Sequence, residues 1–305
     1  MDSSTILHGV GAYIGDEAST MDVSALLAAI DTAADTLKLD FLCVKVIDGT
    51  ICYQSYDAWD TLRAHALEKG LGLIGLQYCY GLRFGEPQLD EAMALANAML
   101  QKNGSHVLDC EVEMNGDTVA AQRIASDLKD HSGVLVLSTW ADPAQQNWLQ
   151  NLSILRSVVN LFSPQFYNNY LENTWIVDLP ALAPAVDLTQ GFGPNAPAAI
   201  AQHFKEQGAT SLWLWDYFYC LQYPGIFADI INAWKPGTVA PPHPSMYTIA
   251  PGDTLTSIAN AFHTAPYPFL YTRNAATLDR IARLHGYPSS YRGNLIFPNT
   301  QIFLS

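Results

Sequence analysis

The sequence predicts an α/β fold: a (β/α)8 TIM barrel followed by a small C-terminal domain. Three observations carry this. Eight short apolar runs rich in β-branched and aromatic residues recur between Gly9 and Tyr219, amphipathic stretches of helical period separate most of them, and a proline-rich segment precedes a tail of different character.

The eight runs are HGVGAYIG (8–15), FLCVKVID (41–48), LGLIGLQYCY (71–80), HVLDCEVE (106–113), GVLVLSTW (133–140), VVNLFSPQFY (158–167), APAVDLT (183–189) and SLWLWDYFY (211–219). Near-continuous apolar strands separated by helices describe a parallel sheet covered by helices. The stretch 23–37 and those around Trp59–Leu67, Ala92–Leu100, Ile124–Leu128 and Ala198–Phe204 have helical spacing. Eight such units in some 230 residues suit a barrel. An open doubly wound sheet is the alternative, but no glycine-rich phosphate loop follows the first strand. The weakest unit is 168–182, which reads as a long loop.

The segment 235–244, KPGTVAPPHP, holds four prolines and reads as a stiff, extended linker. The expected boundaries are therefore 1–234 for the barrel, 235–246 for the linker and 247–305 for the second domain. In the tail, Pro251-Gly252 makes a turn, Asp253 is the expected helix N-cap, and Leu255, Ile258, Ala259 and Phe262 form one apolar stripe.

Composition narrows the partners. The chain has 305 residues, 49% of them hydrophobic, and a formal net charge of −14, which disfavours nucleic acid and anionic membrane surfaces. No apolar run reaches about 18 residues, so no membrane span is expected. The N-terminus lacks the basic and apolar segments of a secretory signal, so synthesis in the cytoplasm is expected. The five cysteines form no CxxC pair and read as reduced, structural thiols. The eight histidines show no metal-ligand spacing, so neither metal nor cofactor is expected.

The fourth run carries the candidate chemistry. Asp109, Glu111 and Glu113 alternate along an apolar strand, so as one strand they would share a face. Burying like charges is costly, so that face is either wet or functional. At the C-terminal end of a barrel strand, Glu111 would raise the pKa of Glu113 and leave a protonated acid able to donate to a glycosidic oxygen. The alternative is that these carboxylates pair with Lys45 on the second strand. Tyr78 and Tyr80 lie where aromatic faces can stack on sugar rings.

Two resemblances follow from these motifs. The run Y-T-I-x-P-G-D-T-L-x-S-I-A from Tyr247 and the closing P-N-T-Q-I-F-L-S resemble a LysM domain. That resemblance implies a βααβ module binding N-acetylglucosamine-containing chains of peptidoglycan or chitin, with Gly252, Asp253 and Thr254 in its ligand loop. The middle of the tail, ATLDRIARLHGYPSSYRGN, looks like an insertion.

The barrel resembles family-18 chitinases, which end strand four in D-x-D-x-E. The resemblance implies Glu113 as general acid/base, Glu111 one layer deeper as its assistant, Asp109 deeper still, and Tyr167 in the run Q-F-Y-N-N, after Gln165, as the substrate-positioning tyrosine. It also implies Trp213 or Trp215 as the floor of a sugar subsite. The family mechanism is retaining, with the substrate's N-acetyl oxygen as nucleophile. With Glu111 or Asp216 as nucleophile, ordinary two-carboxylate retention would apply. Family-25 lysozyme-like barrels also end strand four in D-x-E, and Asp16 would then be the additional acid. The S-x-G-G signature of the chitinase third strand is absent, where LIGLQYCYG stands. The implied function is a glycosidase acting on cell-wall or extracellular glycan; the rival is a glycan binder with an inactive barrel.

Overall fold

A computed structural model of the chain describes residues 8–111, 114, 116–140, 148–166, 183–188, 197–235, 246–261 and 267–303. Two compact units emerge, Met1–Asp187 with His203–Tyr217, and Leu188–Gln202 with Phe218–Ser305.

The first unit holds a closed, eight-stranded parallel barrel: β1 (Gly9–Ile14), β2 (Phe41–Asp48), β3 (Gly72–Tyr78), β4 (Ser105–Asp109), β5 (Val134–Trp140), β6 (Leu161–Phe166), β7 (Ala185–Asp187) and β8 (Ser211–Trp215). Each strand pairs with the next, and β1 pairs with both β2 and β8, which removes the sheet's edges. A two-residue antiparallel arm, Ile51–Cys52, folds back on the end of β2.

Helices follow the strands in the expected alternation: α1 (Val23–Asp31), α2 (Tyr56–Glu68), α3 (Glu86–Asn103), α4 (Thr118–Asp127), α5 (Trp148–Leu155) and α6 (Pro197–Glu206). Asp22, Ser55 and Asp117 cap α1, α2 and α4, each accepting from a backbone N–H three residues on. A π-helical turn, Thr32–Thr36, prolongs α1. The sequence pattern passed over α5. Two further helices, α7 (Tyr217–Gln222) and α8 (Pro224–Trp234), end this part of the chain.

Closure depends on a missing side chain. Gly11 of β1 lies in register between Phe41 on β2 and Trp213 on β8. A Cβ there would stand 2.0 Å from the Phe41 ring. Because Gly11 leaves the space open, the Phe41 and Trp213 rings approach to 4.7 Å between centroids, and Tyr13 packs 5.3 Å from Trp213. With Ile74, Leu76, Val107 and Val136 they fill the barrel's interior. A separate apolar layer, including Leu89, Met93, Leu108, Ile124 and Phe162, lies outside the sheet. All five cysteines are free thiols; only Cys52 is exposed.

Several strands end sooner than the apolar runs. β4 stops at Asp109, because the Met114 N–H turns back to the Glu111 carbonyl and Asn151 of α5 takes the Met114 carbonyl. Asp109 and Glu111 therefore do not share one strand face, since Glu111 lies beyond the end of β4. β8 stops at Trp215, and Tyr217–Tyr219, expected to be strand, belong to α7.

The tail has the order β9 (Met246–Thr248), α9 (Leu255–Ala261), α10 (Tyr267–Leu284), β10 (Gln301–Phe303), with the two strands antiparallel and Tyr247 opposite Ile302. Ile249, Leu255, Ile258, Leu278 and Ile302 form its core. The inserted residues lengthen α10, and Asp279 ties the following loop back through the Ser290 N–H and hydroxyl. No helix among the described residues is long and apolar enough to cross a membrane.

Substituting Gly11→Ala drives a methyl into the Phe41 ring and is expected to destabilise the fold by about 1–3 kcal/mol. Urea denaturation would report this as a lower midpoint; an unchanged midpoint would contradict the closure just described.

Candidate active site

Alternation along the strands brings one inward layer of side chains to the C-terminal mouth of the barrel: Lys45, Tyr78, Asp109, Ser138, Gln165, Asp187 and Trp215. A cleft of about 750 Å³ opens there, lined by Asp16, Lys45, Asp48, Tyr53, Tyr78, Tyr80, Arg83, Phe84, Asp109, Glu111 and Trp215.

The centre of the layer is the Gln165 amide. Its Nε2 lies 2.9 Å from Asp109 Oδ1, 2.9 Å from Glu111 Oε1 and 2.9 Å from Ser138 Oγ. Donating N–H groups between two carboxylates offsets a repulsion that would otherwise be severe in a dry site. Gln165 Oε1 is buried and has no hydrogen-bond partner among the described residues. Glu111 sits at the lip, where Tyr78 Oη donates to its Oε2 at 3.5 Å.

Asp109 lies deeper and is buried. Burial raises its pKa well above the usual carboxylate range, and the neighbouring Glu111 charge adds to the rise; a hydrogen bond from Ser138 and the charge of Lys45 oppose it without prevailing. The pair is thus arranged as a buried carboxyl group, its pKa pushed upward, beneath a second one that lines the cleft. Below it, Tyr13 Oη and Ser163 Oγ are hydrogen-bonded at 3.1 Å.

The opposite wall is built on Lys45. Its Nζ donates to Asp16 Oδ1 at 2.5 Å, stands 3.4 Å from Asp48 Oδ1, and lies 5.0 Å from the centroid of the Tyr78 ring. Lys45 therefore pairs with Asp16 and Asp48, where sequence reasoning offered the strand-four carboxylates. Tyr80 Oη donates to Asp48 Oδ1 at 3.1 Å, and the Tyr78, Tyr80 and Phe84 rings follow one another edge to face at 5.0 and 5.1 Å. Phe84, 57% exposed, stands at the outer end of this row of rings. Trp215 lies across Gly15, whose Cβ would come within 2.6 Å of the indole.

Of the expected site residues, the structure brings together Asp109, Glu111, Gln165, Tyr78, Tyr80 and Trp215, with Asp16 at the rim. Trp213 is not among them. It is fully buried, its Nε1 donates to Ser211, and its ring packs on Phe41 and Tyr13, so it is core rather than a sugar floor. Asp216 is buried and does not line the cleft, because the chain leaves the sheet after Trp215. Glu113 and Tyr167 lie outside the described residues. Sequence reasoning passed over Ser138, Asp187, Asp48 and Arg83. Ser138, Asp187 and Asp48 carry the signal of polar residues near the ends of apolar strands; Arg83 sits in a loop, with no pattern to mark it.

In the tail, Asp253 Oδ2 accepts from Tyr247 Oη at 2.8 Å and from the Ala250 N–H at 2.7 Å. Thr254, not Asp253, caps α9: the Thr254 N–H bonds Ser257 Oγ and the Ser257 N–H bonds Thr254 Oγ1, both at 2.9 Å. The side chains of Asp253 and Thr254 thus hold the turn, while Pro251 and Gly252 are exposed.

Comparison with known proteins agrees with both units. The LysM domain family matches residues 247–267. No curated protein sequence matches the chain. Among solved structures, the chitinase-like agglutinin of Robinia pseudoacacia superposes with a TM-score of 0.51 at 12% identity, covering 73% of this chain and 99% of its own. The Group IV chitinase of Ostrinia furnacalis, determined with allosamidin, gives a TM-score of 0.49 at 11% identity, covering 74% and 97%. The first unit is thus a (β/α)8 barrel of the form seen in a chitinase-like protein, and the tail carries a LysM domain.

Asp109 gives a pH-dependent prediction. A carboxyl whose folded pKa is raised contributes stability at low pH that is lost as pH rises toward that folded value, at up to ~1.4 kcal/mol per pH unit for one proton. Asp109→Asn removes the titration. Its stability relative to wild type is expected to improve as pH rises above the ordinary carboxylate range, read as paired urea midpoints. A gap that is flat or moves the other way would show that Asp109 is ionised in the fold.

Proposed function

We propose that the protein is a glycoside hydrolase acting on N-acetylglucosamine-containing glycan of the peptidoglycan or chitin type, held on the polymer by its LysM domain. The observation that carries this reading is the stacked acid pair, Glu111 in the cleft above a buried Asp109, with one amide between them and an aromatic wall alongside. A carboxyl group open to a cleft and backed by a second one is suited to donate a proton to a leaving glycosidic oxygen and to accept one back from water.

Asp109 stands beneath Glu111 rather than across the cleft, which argues against it as the nucleophile. Retention assisted by the substrate's own N-acetyl group needs no second carboxylate on the far face. In this reading Glu111 is the acid/base and Asp109 holds the proton inventory below it. The longer D-x-E-x-E resemblance gives the acid role to Glu113, with Glu111 orienting the N-acetyl group and Tyr167 holding it. Tyr78, Tyr80 and Trp215 would stack on sugar rings. LysM attachment raises the local concentration of catalyst on polymer without new contacts in the cleft. The site of action is the cell wall or the extracellular space.

A second reading, a glycan binder whose barrel is inactive, has two supports. The third strand lacks the S-x-G-G signature, and the Robinia protein of the same fold is an agglutinin.

The test measures reducing-end release and product mass from peptidoglycan, chitin and chito-oligosaccharides with wild type, Glu111→Gln and Glu113→Gln. Loss of an acid/base is expected to lower turnover by roughly 10²–10⁴-fold. The variant showing that loss identifies the acid. Polymer binding without product from wild type would establish the binder instead.

A further inference from the structure

The cleft wall opposite the acid pair contains a lysine that neither reading uses. Lys45 is inward-facing on β2, and its side chain is only 9% exposed. Three elements converge on its ammonium. Asp16 comes from the turn after β1, Asp48 from the end of β2, and the Tyr78 ring from β3. The Tyr78 hydroxyl continues to Glu111, and Tyr80, edge-on to Tyr78, holds Asp48. A continuous chain of contacts therefore runs from the rim at Asp16 to the acid in the cleft.

Stability alone is a poor reason to keep this charge. Lys45 is buried while Asp16 is largely exposed and Asp48 partly so, and desolvation of the ammonium offsets much of what it gains from the two carboxylates. What a methionine could not supply is a positive charge facing two acids, or an ammonium that pins an aromatic ring.

We propose that Lys45 is a positioning residue of this site, clamped by Asp16 and Asp48 so that its ammonium seats Tyr78 against Glu111 and sets the electrostatic field in which the strand-four acids exchange protons. The proposal rests on the glycosidase reading for its catalytic consequence, though not for its electrostatic one. The groups that face the ammonium are Asp16 on the first turn, Asp48 on β2, Tyr53 after the arm, Tyr78 and Tyr80 at the end of β3, Arg83 in the following loop, and Asp109 with Glu111 across the cleft. Burial lowers the Lys45 pKa, but the hydrogen bond to Asp16 and the charge of Asp48 outweigh it and leave the value raised, so the ammonium is charged at neutral pH. Its charge pulls Asp109 downward, against burial.

The test compares wild type with Lys45→Met, Lys45→Arg, Tyr78→Phe and the Lys45→Met/Tyr78→Phe double variant. Three quantities are read: kcat and KM on chito-oligosaccharides, the pH titration of the Asp109 and Glu111 carboxyl carbons by NMR, and thermal stability. Lys45→Met is expected to lower kcat by roughly tenfold to a hundredfold with KM little changed, and to move the carboxyl titration to higher pH. Lys45→Arg is expected to recover most of both. The double variant should cost less than the sum of the singles, since both act through one contact. A lower melting temperature with kcat and titration unmoved would reduce Lys45 to a structural residue and overturn the proposal. If wild type itself turns over no glycan, the glycosidase reading falls, and the carboxyl titration still decides whether Lys45 sets the field at the acids.

Discussion

Two carboxyl groups share the mouth of this barrel because one amide nitrogen stands between them. Gln165 Nε2, within 2.9 Å of Asp109, Glu111 and Ser138, supplies the donors that a pair of acids in a low-dielectric site requires. Asp109 lies below it and Glu111 meets the cleft above it. Depth is the largest difference between these otherwise similar groups: burial pushes the pKa of the lower one upward, and the upper one lines the cleft.

That arrangement depends in turn on closure. β1 must sit against both β2 and β8, and the two large rings that flank it, Phe41 and Trp213, meet only because Gly11 contributes no side chain. The aromatic floor seals the interior beneath the polar layer. Polar groups on β2, β3, β4, β5 and β6 therefore converge on one small volume, although up to 120 residues separate Lys45 from Gln165 in the chain. The barrel supplies rigidity, and the loops after the strands supply Asp16, Tyr53, Tyr80, Arg83 and Glu111.

The tail makes the same point on a smaller scale. Its hydrophobic core is slight, so its turn is held by side-chain bonds from Asp253 and by the reciprocal Thr254–Ser257 cap. Residues that read as ligand contacts in the linear motif are engaged in holding the loop's shape, and the backbone they shape is what remains exposed.

By itself the sequence determined the alternation of strands with helices, the barrel and the LysM-like tail, and it marked the run HVLDCEVE as unusual. These are written in local signals: apolar runs of strand length, helical periodicity, prolines, and acids where acids are rarely placed. Only tertiary structure decided which polar groups meet. The resemblance offered Trp213 and Trp215 alike as a subsite floor, but depth along the barrel made the first a core residue and the second part of the cleft. The end of β4 was likewise invisible, since it is set by a turn that Asn151 of α5 holds from outside the strand. Lys45 was legible as a polar residue in an apolar strand, yet its partners Asp16 and Asp48 were not. Pairing of that kind depends on distances across a closed sheet, and a linear chain carries no record of them until the first and last strands join.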